Sequence, residues 1–329
     1  MKKNVCCIAI VIVLFALCFP AQAQQPKKVP RIGYLSGTGD SNTPGPNVEA
    51  LRQGLEDLGY IEGKNILVEY RYIEGKPDRY PGLVAELVQL KVDVLVLTSL
   101  SAIRAAKQAT KTIPIVMVLA DDPVTTGIVD SLAHPGGNIT GLSRLTRELS
   151  GKRLELLKEA VPGISRVGVL WDVHNQGAAI SFKEYEAAAR ALKIPLQSLE
   201  VRGPNPDLEG AFKAAAKRRV NALITVRNSM LSRNAKRIAE LAIKSRLPSM
   251  SDGIDYVEAG CLVFYSSNEA ENYRRVATFV DKILKGAKPA DIPVEQPTKF
   301  EFVINLKTAK QIGVTIPPNV LARADRVIK

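Results

Sequence analysis

The chain has 329 residues, beyond the size at which one hydrophobic core keeps growing, so two domains are expected. Its 46% hydrophobic and 24% charged residues are those of an ordinary globular protein, which excludes a disordered or fibrous chain. The net charge of +12 raises nucleic acid as a partner, but basic residues alternate with acidic ones, as in Lys152-Arg153-Leu154-Glu155. The dense run Lys217-Arg218-Arg219 ends a predicted helix, where cations suit the macrodipole. A solvated basic surface is the reading, with no nucleic-acid partner; attraction to anionic membrane surfaces stays open.

Met1-Lys2-Lys3, the apolar run Val5 to Phe19 and Ala21-Gln22-Ala23 form the three parts of a secretory signal, with cleavage expected after Ala23. The apolar run is short for a spanning helix, which needs about 20 residues. The expectation is therefore an exported, soluble, periplasmic protein of residues 24–329. Cys6, Cys7 and Cys18 leave with the signal, so Cys261 has no intramolecular disulfide partner. Leu17 before Cys18 fits a lipoprotein cleavage box poorly, which favours a free protein.

After the signal the chain alternates strands and helices. Val29 to Ser36 reads as a strand, followed by a loop rich in Gly, Ser, Thr, Asn and Pro from Gly37 to Pro46. Val48, Leu51, Leu55 and Leu58 share one helical face. Ile66 to Tyr70 and Val92 to Leu97 are predicted strands; Pro81 to Leu90 and Ile103 to Thr110 are predicted helices. Ile113 to Leu119 is an unbroken apolar run that turns into Ala120-Asp121-Asp122-Pro123, as a strand buried on both faces does. His134 to Gly141 reads as a connector, and a helix to Val161 follows. The pattern then restarts, with strands at 166–170, 195–201, 222–226, 248–250 and 261–265 and helices at 181–192, 207–219 and 232–245. Ala270 to Lys285 is a strongly amphipathic helix stopped by Gly286 and Pro289. Pro293 to Asn305 reads as extended and Leu306 to Gly313 as a helix. The fold class is α/β: two similar wound lobes with parallel sheets, the tail crossing back between them.

Chemistry is concentrated at strand ends, where open parallel sheets bind ligands. In the first lobe these residues are Ser36 and Thr38, then Thr98, Ser99 and Ser101, then Asp121 and Asp122. In the second they are Asp172 and Asn175, then Arg227 and Asn228, then Ser251 and Asp252. Taken singly each group reads as a loop or helix cap; together they suit one cleft. Amides and hydroxyls after Thr98 suit a carboxylate, and Asp121 or Asp122 a cationic group. Trp171 and Tyr265 end strands, and each reads either as a core or rim aromatic or as a wall stacking on a ligand. The two histidines and one mature cysteine have no metal-ligand spacing, and neither histidine comes with a nucleophile motif, so no metal, cofactor or catalysis is expected. Gly37-Thr38-Gly39 starts like a dinucleotide fingerprint but has Asn42 at the third glycine.

Gly59-Tyr60-Ile61-Glu62-Gly63-Lys64-Asn65, His134-Pro135-Gly136-Gly137-Asn138-Ile139-Thr140-Gly141 and the tail Gln296 to Ile328 resemble the ABC-transporter substrate-binding proteins grouped with tryptophan/tyrosine uptake receptors. The resemblance covers the mature chain in order. It implies the type I periplasmic-binding fold: two Rossmann-like lobes joined by a three-segment hinge, divided as 24–142, 143–260 and a shared 261–329. It implies a small molecule in the interlobe cleft, an amino acid or related carboxylate, an ABC permease as membrane partner, and a monomer. It also matches Thr98, Ser99 and Ser101 to a carboxylate-holding loop and Asp122-Pro123-Val124 to an Asp-Pro-Val turn, and places an aromatic at Tyr265 and a tryptophan at Trp171. The chain departs from its relatives where they often read Trp-Asn-Pro-x-Asn, having Trp171-Asp172-Val173-His174-Asn175. Ser251-Asp252-Gly253-Ile254-Asp255 likewise replaces a Tyr-Gly-Phe-Arg-Glu-like run, so the second-lobe pocket gains acid. Two other readings accompany transport. One is a periplasmic sensor presenting its closed form to a membrane signalling partner; the other, an exported enzyme, lacks a recognisable acid–base pair.

Overall fold

The computed structural model describes residues 28–37, 39–40, 42, 44–144, 146 and 148–329. The expected signal segment and Thr38 lie outside the described residues.

The first lobe opens with β1 (Arg31–Ser36), α1 (Pro46–Asp57), β2 (Leu67–Tyr72), α2 (Tyr80–Gln89), β3 (Val94–Leu97), α3 (Leu100–Ala109), β4 (Ile115–Leu119) and β5 (Ile139–Ser143). The strands form one parallel sheet in the order β2-β1-β3-β4-β5. Every residue of β3 and β4 is buried, because alternate side chains feed two different cores. Val94, Val96, Val116 and Val118 pack with Leu51 and Leu55 of α1. Leu95, Leu97, Ile115 and Met117 pack with Leu83 and Leu87 of α2 and Ile103 of α3.

Ile139 to Gly141 is not part of a connector but opens β5, buried throughout and paired in parallel with β4. The sequence hides the strand because it lacks an apolar run. Gly141, at φ 135°, lies so close to the backbone of Met117 that no side chain fits there.

The second lobe contains α4 (Ser150–Ala160), β6 (Val167–Asp172), α5 (Gln176–Ala191), β7 (Leu196–Val201), α6 (Leu208–Lys217), β8 (Ala222–Thr225), α7 (Ser229–Arg233), α8 (Ala235–Lys244), β9 (Ser249–Ser251), α9 (Ile254–Ala259) and β10 (Val263–Ser267). The tail adds α10 (Glu269–Leu284), β11 (Phe300–Asn305), α11 (Leu306–Ile312), α12 (Pro318–Leu321) and β12 (Arg326–Ile328). The second sheet runs β12-β11-β10-β9-β8-β6-β7 and is parallel except where β11 lies antiparallel to β10. The helix expected over 232–245 is two helices, α7 and α8, meeting at Asn234. α7 begins earlier than periodicity suggests because Asn228 caps it, and Asn175 does the same for α5.

α10 follows a strand of the second sheet yet belongs to the first lobe. It buries Tyr273, Val276, Phe279 and Val280 against α1 and the first sheet, each worth about 1.5–3 kcal/mol. Gly54 of α1 permits the approach, since a Cβ there would lie 2.6 Å from the Arg274 carbonyl oxygen. The chain therefore crosses between lobes three times: after β5, between β10 and α10, and between Glu295 and β11. Two crossings are tied together. Ser143 N donates to Glu295 O, and Glu295 N donates to Gly141 O, both at 3.0 Å.

Candidate functional site

The carboxyl ends of both sheets face each other across a cavity of about 210 Å³. The first wall carries Gly37, Tyr80, Thr98, Ser99, Ser101 and Asp121. The second carries Arg153, Asp172, Asn175, Arg227, Asn228 and Asp252. The walls are close. A Cβ on Gly37 would lie 2.6 Å from Ser229 Oγ, and Gly75 faces the Arg233 guanidinium just as closely. At the rim, Arg104 of α3 donates to Gln176 of α5 at 2.9 Å.

Helix caps fix much of this geometry. Ser99 accepts from Ala102 N at the start of α3, Asn175 from Ala178 N at α5, and Asn228 from Leu231 N at α7. Asn228 also donates through Nδ2 to Asp172 Oδ2 at 2.8 Å, holding that carboxylate at the cleft. Asp121 is 3% exposed and lines the floor.

The strongest electrostatic feature is a three-residue network. Glu269, the first residue of α10, receives Arg227 from the second lobe through Nη1 at 2.5 Å and Nη2 at 3.1 Å. Arg144, just after β5, bonds the same Glu269 Oε1. The side chains of Glu269 and Arg227 are only 13% and 17% exposed. Burial alone would raise the Glu269 pKa; Arg227 first and Arg144 next reverse this and hold it at about 2. Burial works against the charge on Arg227 too, yet Glu269 and then Asp255 push its pKa well up. The network stays ionised and joins the second lobe to the helix that belongs to the first.

Arg153 corrects the reading of the basic residues as uniformly solvated. It is 2% exposed, lying on the apolar stripe of α4 with Leu157 and Ala160. Its Nε donates to Tyr265 O at 2.7 Å and its Nη1 to Thr146 O.

The structure brings Thr98, Ser99, Ser101, Asp121, Asp172, Asn175, Arg227, Asn228 and Asp252 together at the cavity. Five expected residues that it describes lie elsewhere, among them Ser251, which ends β9 fully buried and off the lining. Ser36 ends β1, 3% exposed and off the lining. Asp122 is turned into its own turn, accepting from Val124 N at 2.9 Å and Thr125 Oγ1 at 2.5 Å. Against a burial cost that raises it, the Thr125 hydroxyl and the Val124 and Thr125 amides lower its pKa. Trp171 stacks on Phe182 at 4.7 Å and donates to Ser198 Oγ at 2.8 Å, in a separate groove between α5 and β7. Strand alternation sends it there while its neighbour Asp172 reaches the cleft. Tyr265 packs against Phe300 and Phe302 of β11. The aromatic lining comes instead from Tyr80, Tyr185 and Tyr273. Sequence reasoning missed Arg144, Arg153 and Glu269. A lone arginine in phase with the apolar stripe of α4 was the available signal for Arg153; nothing local marks the other two.

The family model described as ABC transporter substrate binding protein matches residues 44–328. A tyrosine-binding protein of Clostridioides difficile is 25% identical over 282 residues, covering 82% of this chain and 78% of the relative. A crystal structure of a conserved domain protein from Vibrio cholerae is 28% identical, with a TM-score of 0.83 over 91% of this chain and 100% of that one. A structure from Streptococcus pneumoniae in complex with L-Trp is 25% identical, with a TM-score of 0.77 over 90% and 100% of the two chains. The chain belongs to the ABC transporter substrate-binding protein family, and its fold is the type I periplasmic-binding fold.

Proposed function

We propose that this protein captures a small amino acid or related carboxylate in the interlobe cleft and hands it to an ABC permease, without converting it. The observation that carries the reading is the cavity of about 210 Å³, lined by polar groups of both walls at close approach. It is smaller than the ~300–1,000 Å³ of sites for drug-sized molecules. The amides and hydroxyls of Thr98, Ser99 and Ser101 at the α3 start receive the α-carboxylate, as a helix N-terminus favours. Asp121 on the same wall receives the ammonium group. Asp172, Asn175, Arg227, Asn228 and Asp252 complete the site from the second lobe.

The relatives that bind tyrosine and L-Trp support an amino-acid class. The second wall, with Trp171 and Tyr265 outside the cleft, favours a polar side chain over an aromatic one. Ligand binds both walls at once, so it stabilises the closed arrangement and shifts the population towards it. The permease reads that closed shape. Among the described residues no helix is long and apolar enough to cross a membrane, and the family is periplasmic. Export with cleavage after Ala23 is part of this proposal.

The test is to purify the protein, unfold it to release retained solute, and identify that solute by mass spectrometry. The refolded protein is then titrated by calorimetry. A released amino acid or carboxylate that rebinds supports the reading. Release of a different solute class, or chemical turnover of the bound compound, overturns it.

A further inference from the structure

Arg153 carries one charge and five N–H donors, and the protein satisfies only part of them. Nε and Nη1 are spent on the Tyr265 and Thr146 carbonyls. Nη2 is buried and makes no hydrogen bond within the protein. No carboxylate among the described residues lies within ion-pair distance of this guanidinium, although the residue is 2% exposed. A buried charge with donors left over is costly unless something completes it. The residue lines the cleft, beside Ser150, Ser181 and Tyr185. Burial raises the Tyr185 pKa and the Arg153 guanidinium opposes that rise, which places the phenol next to the charge.

Arg144 and Arg227 already share Glu269. Arg233 is exposed at the rim against Gly75. Arg153 alone among the described cleft arginines is both fully buried and free of a carboxylate.

We propose that Arg153 is the specificity-determining residue of the second wall, its Nη2 receiving an oxygen of a second carboxylate on the solute. The ligand is then an acidic amino acid or a related dicarboxylate, its second carboxylate at Arg153 with the Tyr185 and Ser181 hydroxyls beside it. This rests on the capture reading above, in which the α-carboxylate goes to the Thr98–Ser101 loop.

The experiment is calorimetric titration of the full mature chain with L-glutamate, L-glutamine and L-tyrosine, on the wild type and on Arg153→Met. Glutamate and glutamine differ only in the charge and donors of the group offered to Arg153. A charge-assisted contact predicts that the wild type binds glutamate about tenfold or more tightly than glutamine, and Arg153→Met removes that preference. Equal affinity for the pair, or tighter binding of tyrosine, overturns the inference and leaves amino-acid capture standing. Uniform loss of all three in a folded Arg153→Met protein also overturns it, because Arg153 then reads the shared α-carboxylate. If none of the three binds the wild type, this inference falls, and the capture reading is decided by the solute that unfolding releases. Because the variant leaves two carbonyls without their donor, its folding is checked by thermal unfolding, and the wild-type preference decides the matter without it.

Discussion

The first-lobe wall meets the cleft with hydroxyls and helix-start amides at Thr98, Ser99 and Ser101, with Asp121 as its charge. The second-lobe wall presents Arg153, Asp172, Arg227 and Asp252. Both walls are strand ends of parallel sheets followed by capped helices. Backbone amides need only a helix start to hold them, so one capping serine suffices. Long charged side chains need partners of their own: Asn228 for Asp172, Glu269 for Arg227, and two backbone carbonyls for Arg153. In the proposed capture, the first wall takes the group common to all amino acids and discrimination falls to the second.

The largest effect that tests this contrast comes from Glu269. Glu269→Ala removes the carboxylate that Arg144 and Arg227 both pair with directly, and about 3–5 kcal/mol of stability is expected to go, read by urea unfolding. The pH dependence follows with a definite sign. Glu269 titrates near 4.5 when unfolded and near 2 when folded, so its contribution is present above pH 4.5 and disappears as pH falls through 2. That contribution is about 3 kcal/mol. In Glu269→Gln the corresponding loss below pH 4.5 should be missing; an unchanged acid limb would mean that the network does not hold the walls together.

Closure is tested next at Gly37. A valine there meets Ser229 across the cleft and Tyr80 on its own wall, so ligand affinity is expected to fall about tenfold by calorimetry. Unchanged affinity would mean that the walls need not approach this closely. Asn228→Ala removes both the α7 cap and the partner of Asp172, with about 1–2 kcal/mol of stability lost in thermal unfolding. The smallest effect is at Trp171. Trp171→Phe is expected to leave ligand affinity within about twofold, because the ring faces the α5–β7 groove. Loss of binding would return that tryptophan to the cleft.

Much of the fold could be read from periodicity and turn residues, since buried parallel strands such as β4 announce themselves as short apolar runs. β5 escaped because its strand is half polar, and its glycine answers to a close backbone neighbour. Strand-end reasoning reached the cleft at Thr98, Asp121, Asp172 and Arg227. It erred at Trp171 and Tyr265 because adjacent positions on a strand face opposite sides, so being near an end does not fix direction. Glu269 was illegible for a different reason. Its partners lie 125 and 42 residues away, and only the three-dimensional path of the tail brings them together.

That path also limits how the molecule can move. With Gly141 and Ser143 hydrogen-bonded to Glu295, two of the three interlobe crossings are paired side by side, while the third runs into α10. Paired backbones of this kind hold the two crossings in one register, so they move together rather than singly. A substitution that removes the Glu295 amide N–H, as proline would, cuts one of the two bonds that tie these crossings to each other.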